Sequence, residues 1–436
     1  MTANTSSDIA TTPSLWRGPA VWTRAADTFI ILLAVSLPWS TSLVAIFAVL
    51  WFLTLLPTLN VERFLQSLKR PASALPVALF ALAVVGTLWS TDVPWAARLH
   101  GINPVTKLLA IPLLIYHFET SKRGFWVVVA FLSSCTLVML VSWLQFFNPG
   151  LMQDPIRPPG VPVKNYIVQG QEFALCAFGG FGAAVYLWRA NFKRHAVALI
   201  LVSIGFLCNM AFVVSSRTVW VCVPFLLLVF ALLHFKRRGV LIILAVAVAA
   251  GAVFWASSPY LRMRTDSVAV EYEEYHDQNA STSTGLRLEY WRKSLKFIQE
   301  APLFGNGTGS TKTLFERDAV GKTAVSAEII GNPHNQTLNV AVQWGLLGCI
   351  VLYAMWLAHL KMFLTPGLIS WIGLAAVIEN FVGSLFNSHL FDFGEGWIYV
   401  LAVGVTGGML SRIRGSSPGG RSREISGLSS ARQTQA

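Results

Sequence analysis

The chain has 436 residues, of which 54% are hydrophobic and only 12% are charged, and its formal net charge is +12. A soluble domain carries about 25% charged residues, so this composition excludes an ordinary soluble globular protein. The positive charge gives no support for nucleic-acid binding, because the Lys and Arg residues are divided among separate short turns rather than gathered on one face.

Runs of roughly twenty apolar residues predict an all-α polytopic membrane protein with about twelve transmembrane helices. The spans are centred on residues 27–38, 43–56, 74–89, 105–116, 125–146, 172–188, 196–214, 218–233, 240–256, 338–360, 369–386 and 397–410. The sequence thus divides into nine spans over residues 1–257, a long hydrophilic loop over 258–337, three spans over 338–411 and a disordered basic tail over 412–436.

The basic residues orient these spans. Alternate loops are rich in Lys and Arg, at positions 17 and 24, 63, 69 and 70, 122 and 123, 189, 193 and 194, 236–238, 361, and 412–432. The intervening short connections hold only Arg98, Lys107, Arg157, Lys164 and Arg217. Because cytoplasmic loops are the basic ones, both termini are predicted to be cytoplasmic, and the long loop is predicted to lie on the outer face.

The long outer loop is predicted to contain short helices. Its acidic and aromatic patch, residues 271–277, precedes an amphipathic helix in which apolar positions 288, 291, 295 and 298 recur at intervals of three and four. Arg287 is predicted in the first turn of that helix. The Gly-rich segment 301–310 follows; it lacks the Lys-Ser/Thr end of a phosphate-binding P-loop, which favours a helix stop with tight packing.

The polar segment Asn332-Pro-His334-Asn335-Gln-Thr opens directly into the apolar run 338–360. Polar groups at the mouth of a membrane helix are costly to desolvate, and they mark candidate functional sites. A helix N-terminus also favours anionic ligands. The segment is therefore a candidate anion site, against the alternative that His334 is an ordinary interfacial histidine.

Arg217 lies in a very short outer turn, where the charge bias disfavours an arginine. Two interpretations stay open: the side chain reaches the lipid headgroups, or its guanidinium binds a phosphate or diphosphate through two hydrogen bonds. His389 lies in a second polar break between spans. The spacing of His and carboxylate residues predicts no metal site and no cofactor, and Cys135, Cys176, Cys208, Cys222 and Cys349 all fall within spans, where packing is their expected role.

Three pieces of sequence now stand in a recognisable order. They are Ser216-Arg-Thr218, then Arg287-Leu-Glu-Tyr290-Trp291 with Pro302-Leu-Phe-Gly-Asn-Gly307, then His334-Asn-Gln-Thr-Leu338 before Gly345-Leu-Leu-Gly348. In this order they resemble the bacterial O-antigen ligase and polymerase superfamily over residues 215–348.

The resemblance implies a membrane glycosyltransferase fold of the C-type class and an O-antigen ligase. Such an enzyme transfers a glycan from undecaprenyl diphosphate to the lipid A–core oligosaccharide on the periplasmic face of the bacterial inner membrane. It implies inverting, metal-independent transfer by a multi-pass protein, which we expect to be a monomer among membrane lipids.

In that reaction Arg217 and Arg287 would stabilise the diphosphate leaving group. His334 would either deprotonate the acceptor hydroxyl or hydrogen-bond the diphosphate. Asn332, Asn335, Tyr290 and His389 are candidate substrate-binding residues. Rival bases are listed by position: Glu271, Glu273, Glu274, Asp277 and Glu289.

Alternative functions remain open at this stage. An O-antigen polymerase or a protein O-oligosaccharyltransferase shares the same motifs, and a lipid or sugar-phosphate transporter belongs to a different class. A single long outer loop favours the ligase, and polar residues gathered at one face disfavour a transporter, whose polar breaks lie near the midplane.

Overall fold

The computed structural model describes residues 19–151, 158–213, 216–278 and 280–416. These residues form seventeen α-helices joined by turns and short 3₁₀ segments, and no strand is found among them. The helices are α1 Pro19–Ser36, α2 Thr41–Leu55, α3 Val61–Leu68, α4 Pro71–Val85, α5 Trp95–Thr106, α6 Ala110–Phe118, α7 Gly124–Phe147, α8 Tyr166–Arg189, α9 Lys193–Phe212, α10 Arg217–His234, α11 Arg237–Ser257, α12 Pro259–Gln278, α13 Ser283–Glu300, α14 Ser310–Ala319, α15 Gln336–Phe363, α16 Leu368–Gly383 and α17 Phe393–Ser416.

The predicted class, an all-α polytopic membrane protein, is confirmed. Each of the twelve predicted spans overlaps a helix, with α5 and α6 together forming one. Among the described residues, nine helical segments are long and apolar enough to cross a membrane. The helices α1, α8 and α16 fall short of that standard, so the count of twelve stays a prediction.

The bundle buries large aromatic side chains along its centre, among them Trp344, Trp371, Tyr399 and Phe173. By contrast, α11 buries none of its residues and exposes Leu241, Ile242 and Val246. Such a face would be a large exposed apolar patch on a soluble protein, whereas in a bilayer it meets lipid chains. The outermost position of α11 therefore fits a membrane-embedded bundle.

The outer segment between α11 and α15 differs from its prediction in two ways. It contains two helices of 20 and 18 residues, α12 and α13, besides the short α14. The predicted apolar face of α13 is also wrong at Leu295, which is exposed, while Tyr290 and Phe297 pack on Phe315 of α14. The buried face includes Lys293, whose ammonium group donates to the Ser326 carbonyl oxygen at 2.5 Å. Because α13 begins at Ser283, Arg287 begins the second turn of this helix and not the first.

The Gly-rich segment 301–309 docks into a break in α15. At Gly345 the backbone leaves the helix with φ 59° and ψ −153°, a conformation open essentially to glycine alone. Four backbone hydrogen bonds join the two segments: Asn306 N to Val342 O at 2.9 Å, Gly307 N to Gln343 O at 2.8 Å, Leu346 N to Pro302 O at 2.8 Å, and Leu347 N to Leu303 O at 3.2 Å. Carbonyl and amide groups released by the break are thus satisfied within the protein, as irregular backbone at membrane depth requires.

Replacing Gly345 by alanine is expected to destabilise the protein by about 2 kcal/mol or more, because the backbone strain alone is of that order. A Cβ atom there would also lie 2.5 Å from the Leu303 carbonyl carbon. Thermal unfolding of purified protein in detergent measures the effect. Gly251→Ala in α11 is the matched control, since nothing lies within 4 Å of its Cβ position; an equal midpoint for the two variants would contradict the packing role of the break.

Three further expectations change. Arg98 and Lys107 were assigned to outer connections, but Arg98 lies in α5 and Lys107 lies at the junction of α5 and α6. The tail was expected from residue 412, whereas α17 continues to Ser416 because Arg412 and Arg414 donate to the carbonyl oxygens of Ser121 and Met362. The rest of the predicted tail, from residue 417, lies outside the described residues, as do Arg17, Arg157 and Ser215.

Candidate active site

Polar side chains from five separated segments meet at one end of the bundle. They come from the first residue of α10, from α12, from α13, from residues 332–335 before α15, and from the connection between α16 and α17. We call this connection, residues 384–392, the α16–α17 loop. Arg217, Arg287 and His334, which the sequence separates by over a hundred residues, are brought into one neighbourhood.

Arg217 is held by a carboxylate of α12. Its guanidinium donates to both oxygens of Glu271, at 2.8 and 3.1 Å, and to Thr284 Oγ1 at 3.1 Å. Burial raises the pKa of Glu271, but hydrogen bonds from Arg217 and Thr284 outweigh burial and leave this pKa below its ordinary value. Arg217 is therefore a fixed guanidinium with a paired charge.

Arg287 differs, because its guanidinium has no hydrogen-bond or ion-pair partner among the described residues. It is partly buried on α13, where burial first and then the positive charge of Arg217 lower its pKa, while Tyr166 and the carboxylate of Glu271 oppose this without reversing it. An arginine stays protonated even so. A desolvated, unpaired cation next to a second cation is an unfavourable arrangement that an anion would relieve.

His334 adopts a left-handed backbone conformation, with φ 52°. The side-chain oxygen of Asn332 stabilises that turn by accepting the His334 backbone N–H at 3.0 Å. Its Nδ1 lies 2.7 Å from Asn387 Oδ1, and its ring stacks on Tyr290 at 6.1 Å between centroids. Burial lowers the pKa of His334, the Asn387 contact opposes this and Arg287 adds to it, so the imidazole is held neutral near neutral pH.

The α16–α17 loop clamps the segment that carries His334. Ser384 O accepts the Gln336 backbone N–H at 2.9 Å, and Leu385 O accepts the Asn335 side-chain amide at 2.8 Å. Ser388 Oγ donates to Asn332 Oδ1 at 2.6 Å. These contacts place the loop directly against the imidazole.

The other predicted substrate-binding residues are occupied by structural contacts. Asn335 caps α15 by accepting the Leu338 N–H at 3.0 Å, and the Tyr290 side chain is 6% exposed, packed between His334 and Phe315. His389 is wholly buried, with Nδ1 3.1 Å from Gln171 Nε2, and burial followed by Arg287 lowers its pKa to about 3. Their substrate-binding roles, and that of Asn332, stay predictions.

The rival bases are poorly placed. Glu271 is engaged by Arg217 and by both Thr284 groups. Arg292 binds Glu289 through two hydrogen bonds, at 2.6 and 2.9 Å. The side chains of Glu273, Glu274 and Asp277 are exposed on α12. The neutral His334 is the better proton acceptor among these groups.

Sequence reasoning missed Asn387, Thr284 and Ser388. The polar run 387–389 had drawn attention only to His389, although it was a signal for the whole loop. Within the described residues, no cluster of three or more His, Cys, Asp or Glu side chains could hold a metal ion. All five cysteines are free.

A cavity of about 540 Å³ lies apart from these polar residues, among α1, α7, α8, α9, α16 and α17. Its lining is almost wholly apolar and includes Phe131, Leu175, Gly179 and Val405. Because no charged side chain lines it, this cavity is a poorer candidate for an active site than the polar end of the bundle.

Comparison with known families agrees with this location. A profile of the family described as O-antigen ligase matches residues 200–353, the segment that contains Arg217, Arg287 and His334. This segment of the chain is thus similar to the O-antigen ligase family. Members of that family are glycosyltransferase-like ligases and polymerases whose substrates are lipid-linked glycans.

An uncharacterised protein of Haemophilus influenzae is also similar to this chain. The two are 23% identical over 257 residues, which are 57% of this chain. The chain spans 62% of the length of that relative, somewhat less than two thirds. This similarity adds no information on substrate or acceptor.

Proposed function

We propose that the protein is an O-antigen ligase that transfers O-antigen polysaccharide from undecaprenyl diphosphate to the lipid A–core oligosaccharide. The observation that carries this proposal is the unpaired guanidinium of Arg287 beside the neutral imidazole of His334. The guanidinium suits an anionic leaving group, and the imidazole suits a hydroxyl that must lose a proton. Glycosyl transfer from a lipid-linked diphosphate needs both.

Arg287 is proposed as the principal ligand of the diphosphate. It has no partner to displace among the described residues, whereas Arg217 offers only the N–H groups that Glu271 and Thr284 leave free. Two guanidinium groups can bind phosphate oxygens in pairs. Their charge becomes more valuable as the bond to the sugar breaks, since negative charge then grows on the diphosphate.

The reaction is proposed to proceed by direct displacement. The acceptor hydroxyl oxygen forms a bond to the anomeric carbon, while the bond from that carbon to the phosphate oxygen breaks and its electron pair stays on the diphosphate. The proton of the hydroxyl moves to Nε2 of His334. Attack opposite to the leaving group inverts the anomeric configuration, and no metal ion is required in this scheme.

The site is proposed to face the periplasm, with both termini in the cytoplasm, on the basis of the charge distribution among the loops. The 78-residue segment of residues 258–335, between α11 and α15, is the one long segment at that end within the described helices, since only residues 148–165 separate α7 from α8. A single large outer segment favours a ligase over a polymerase.

Gel analysis of lipopolysaccharide from a deletion strain tests the assignment. A ligase predicts loss of all long chains while lipid-linked polymer accumulates, and restoration by the wild-type gene. A core bearing one repeat unit would instead identify a polymerase. Unchanged lipopolysaccharide with altered glycoproteins would identify a protein O-oligosaccharyltransferase, and either outcome would overturn the proposal.

A further inference from the structure

The contact between Asn387 and His334 defines which ring nitrogen carries the proton. Asn387 Oδ1 lies 2.7 Å from His334 Nδ1, and an amide oxygen can only accept a hydrogen bond. The proton of the neutral imidazole is therefore on Nδ1, and Nε2 keeps its lone pair. Asn387 is 7% exposed, so water competes little for this hydrogen bond.

We propose that Asn387 is a positioning residue that holds His334 as the Nδ1-protonated tautomer and so makes Nε2 the atom that accepts the acceptor's proton. This inference rests on the proposed function, because it gives the base of that reaction its reactive atom. Asn387 itself touches the imidazole and not the reacting atoms.

The loop that carries Asn387 is anchored on both sides of it. Ser384 and Leu385 are bonded through their carbonyl oxygens to the start of α15, and Ser388 binds Asn332. Beyond these, the Lys107 ammonium group donates to the carbonyl oxygens of Phe391 and Asp392, both at 2.8 Å. The amide is thus fixed relative to the ring it orients.

The charges around His334 explain why a neutral acceptor suits this position. Arg287 of α13 is the charged group whose positive charge lowers the pKa of His334, Tyr290 of α13 is the titratable ring stacked on the imidazole, and His389 is the titratable side chain two positions after Asn387 in the loop. An aspartate at position 387 would orient the ring equally well. It would also favour the imidazolium, which cannot accept a proton. Asparagine orients the ring without protonating it.

Two substitutions of nearly unchanged size test the proposal in the purified full-length protein. Asn387→Asp keeps the acceptor and adds a negative charge, so the acidic limb of kcat/KM against pH is expected to move upward by about one pH unit or more, with activity recovered at high pH. Asn387→Leu removes the acceptor, so kcat is expected to fall about tenfold or more at every pH while KM for the donor changes little.

Asn148→Asp is the matched control for the added charge, because Asn148 is exposed at the end of α7, outside the site. Ser388→Ala serves as the structural comparison. It removes the bond to Asn332 without touching the imidazole, so it is expected to lower the rate without moving the pH profile.

A readout independent of turnover is the ¹⁵N spectrum of the His334 ring in histidine-labelled protein, assigned by its loss in His334→Gln. Wild-type protein is expected to show a protonated Nδ1, and Asn387→Leu is expected to shift the population towards protonated Nε2. An unmoved pH profile in Asn387→Asp, or a protonated Nε2 in the wild type, would overturn the inference. The spectrum reports the tautomer even if the transfer reaction proves to be another one, so failure of the proposed function is recognised separately.

Discussion

Replacing Arg287 by alanine is expected to abolish detectable ligation in cells and to lower kcat/KM for the purified protein by about 10²- to 10³-fold, the usual effect of removing one charge-stabilising donor. The reason is that this guanidinium has no partner among the described residues, so the substitution leaves no protein charge unpaired. Expression and thermal stability should stay close to those of the wild type. Lipopolysaccharide gels measure ligation in cells, and immunoblots of the same cells measure expression.

Arg317→Ala on α14 is the control, because the side chains of Arg317 and of its partner Glu300 are both exposed, so the substitution leaves no buried charge unpaired. Arg287→Lys keeps the charge but loses the planar pair of donors, so only partial activity is expected. Wild-type ligation by Arg287→Ala would remove the basis for the diphosphate site.

Arg217→Ala should also prevent ligation, but with a different signature. It removes the partner of Glu271 and leaves a partly buried carboxylate without its counter-charge. Lower thermal stability is therefore expected in addition to lost activity. The contrast between the two variants separates an arginine that binds only substrate from one that also joins α10 to α12.

Replacing His334 by glutamine is expected to lower kcat by about 10²-fold or more, since general bases contribute at least that factor. The wild-type rate should fall only at acidic pH, below the ordinary range of histidine, because burial and Arg287 lower the pKa of His334 and its neutral form is the active one. The glutamine variant should lose this acidic limb. Initial rates of glycan transfer from pH 4.5 to 8.5 on the two proteins measure both effects.

His195→Gln offers a control of the same chemistry, because this exposed histidine lies in the first turn of α9, remote in sequence from every site segment. A glutamine variant at position 334 that kept the acidic limb would assign the base to another residue.

The sequence predicted the class of fold because membrane helices depend on local signals, and local signals also singled out the candidate site residues. Apolar runs identify membrane helices whatever their partners are, and the overlap of all twelve predicted spans with helices follows from that. Arg217, Arg287 and His334 were conspicuous as polar or charged residues at helix ends. The charge of the loops predicted that these three residues lie on the same face of the membrane.

The features that the sequence analysis predicted wrongly or missed depend on tertiary contacts. The buried face of α13 was assigned from apolar spacing, but the helix buries Lys293 and exposes Leu295 because Asp318 and a backbone carbonyl satisfy the ammonium group. The role of Asn387 depends on a contact across 53 residues. Lys107 was counted among the few basic residues of the short outer connections, and its carbonyl partners in the α16–α17 loop could not be read from spacing.

The docking of residues 301–309 into the break of α15 also constrains how the protein is made. Thr308 N donates to Gly86 O at the end of α4, while Gly307 N donates to Gln343 O in α15, so one turn joins parts of the chain more than 200 residues apart. During synthesis, α13 leaves the ribosome before α15, and Arg287 has no fixed position until the later helix is inserted. The nascent chain can therefore form the hydrogen bonds between the Gly-rich segment and α15, and with them the candidate site, only in the last third of its translation. Until then the partial chain in the membrane lacks the complete site.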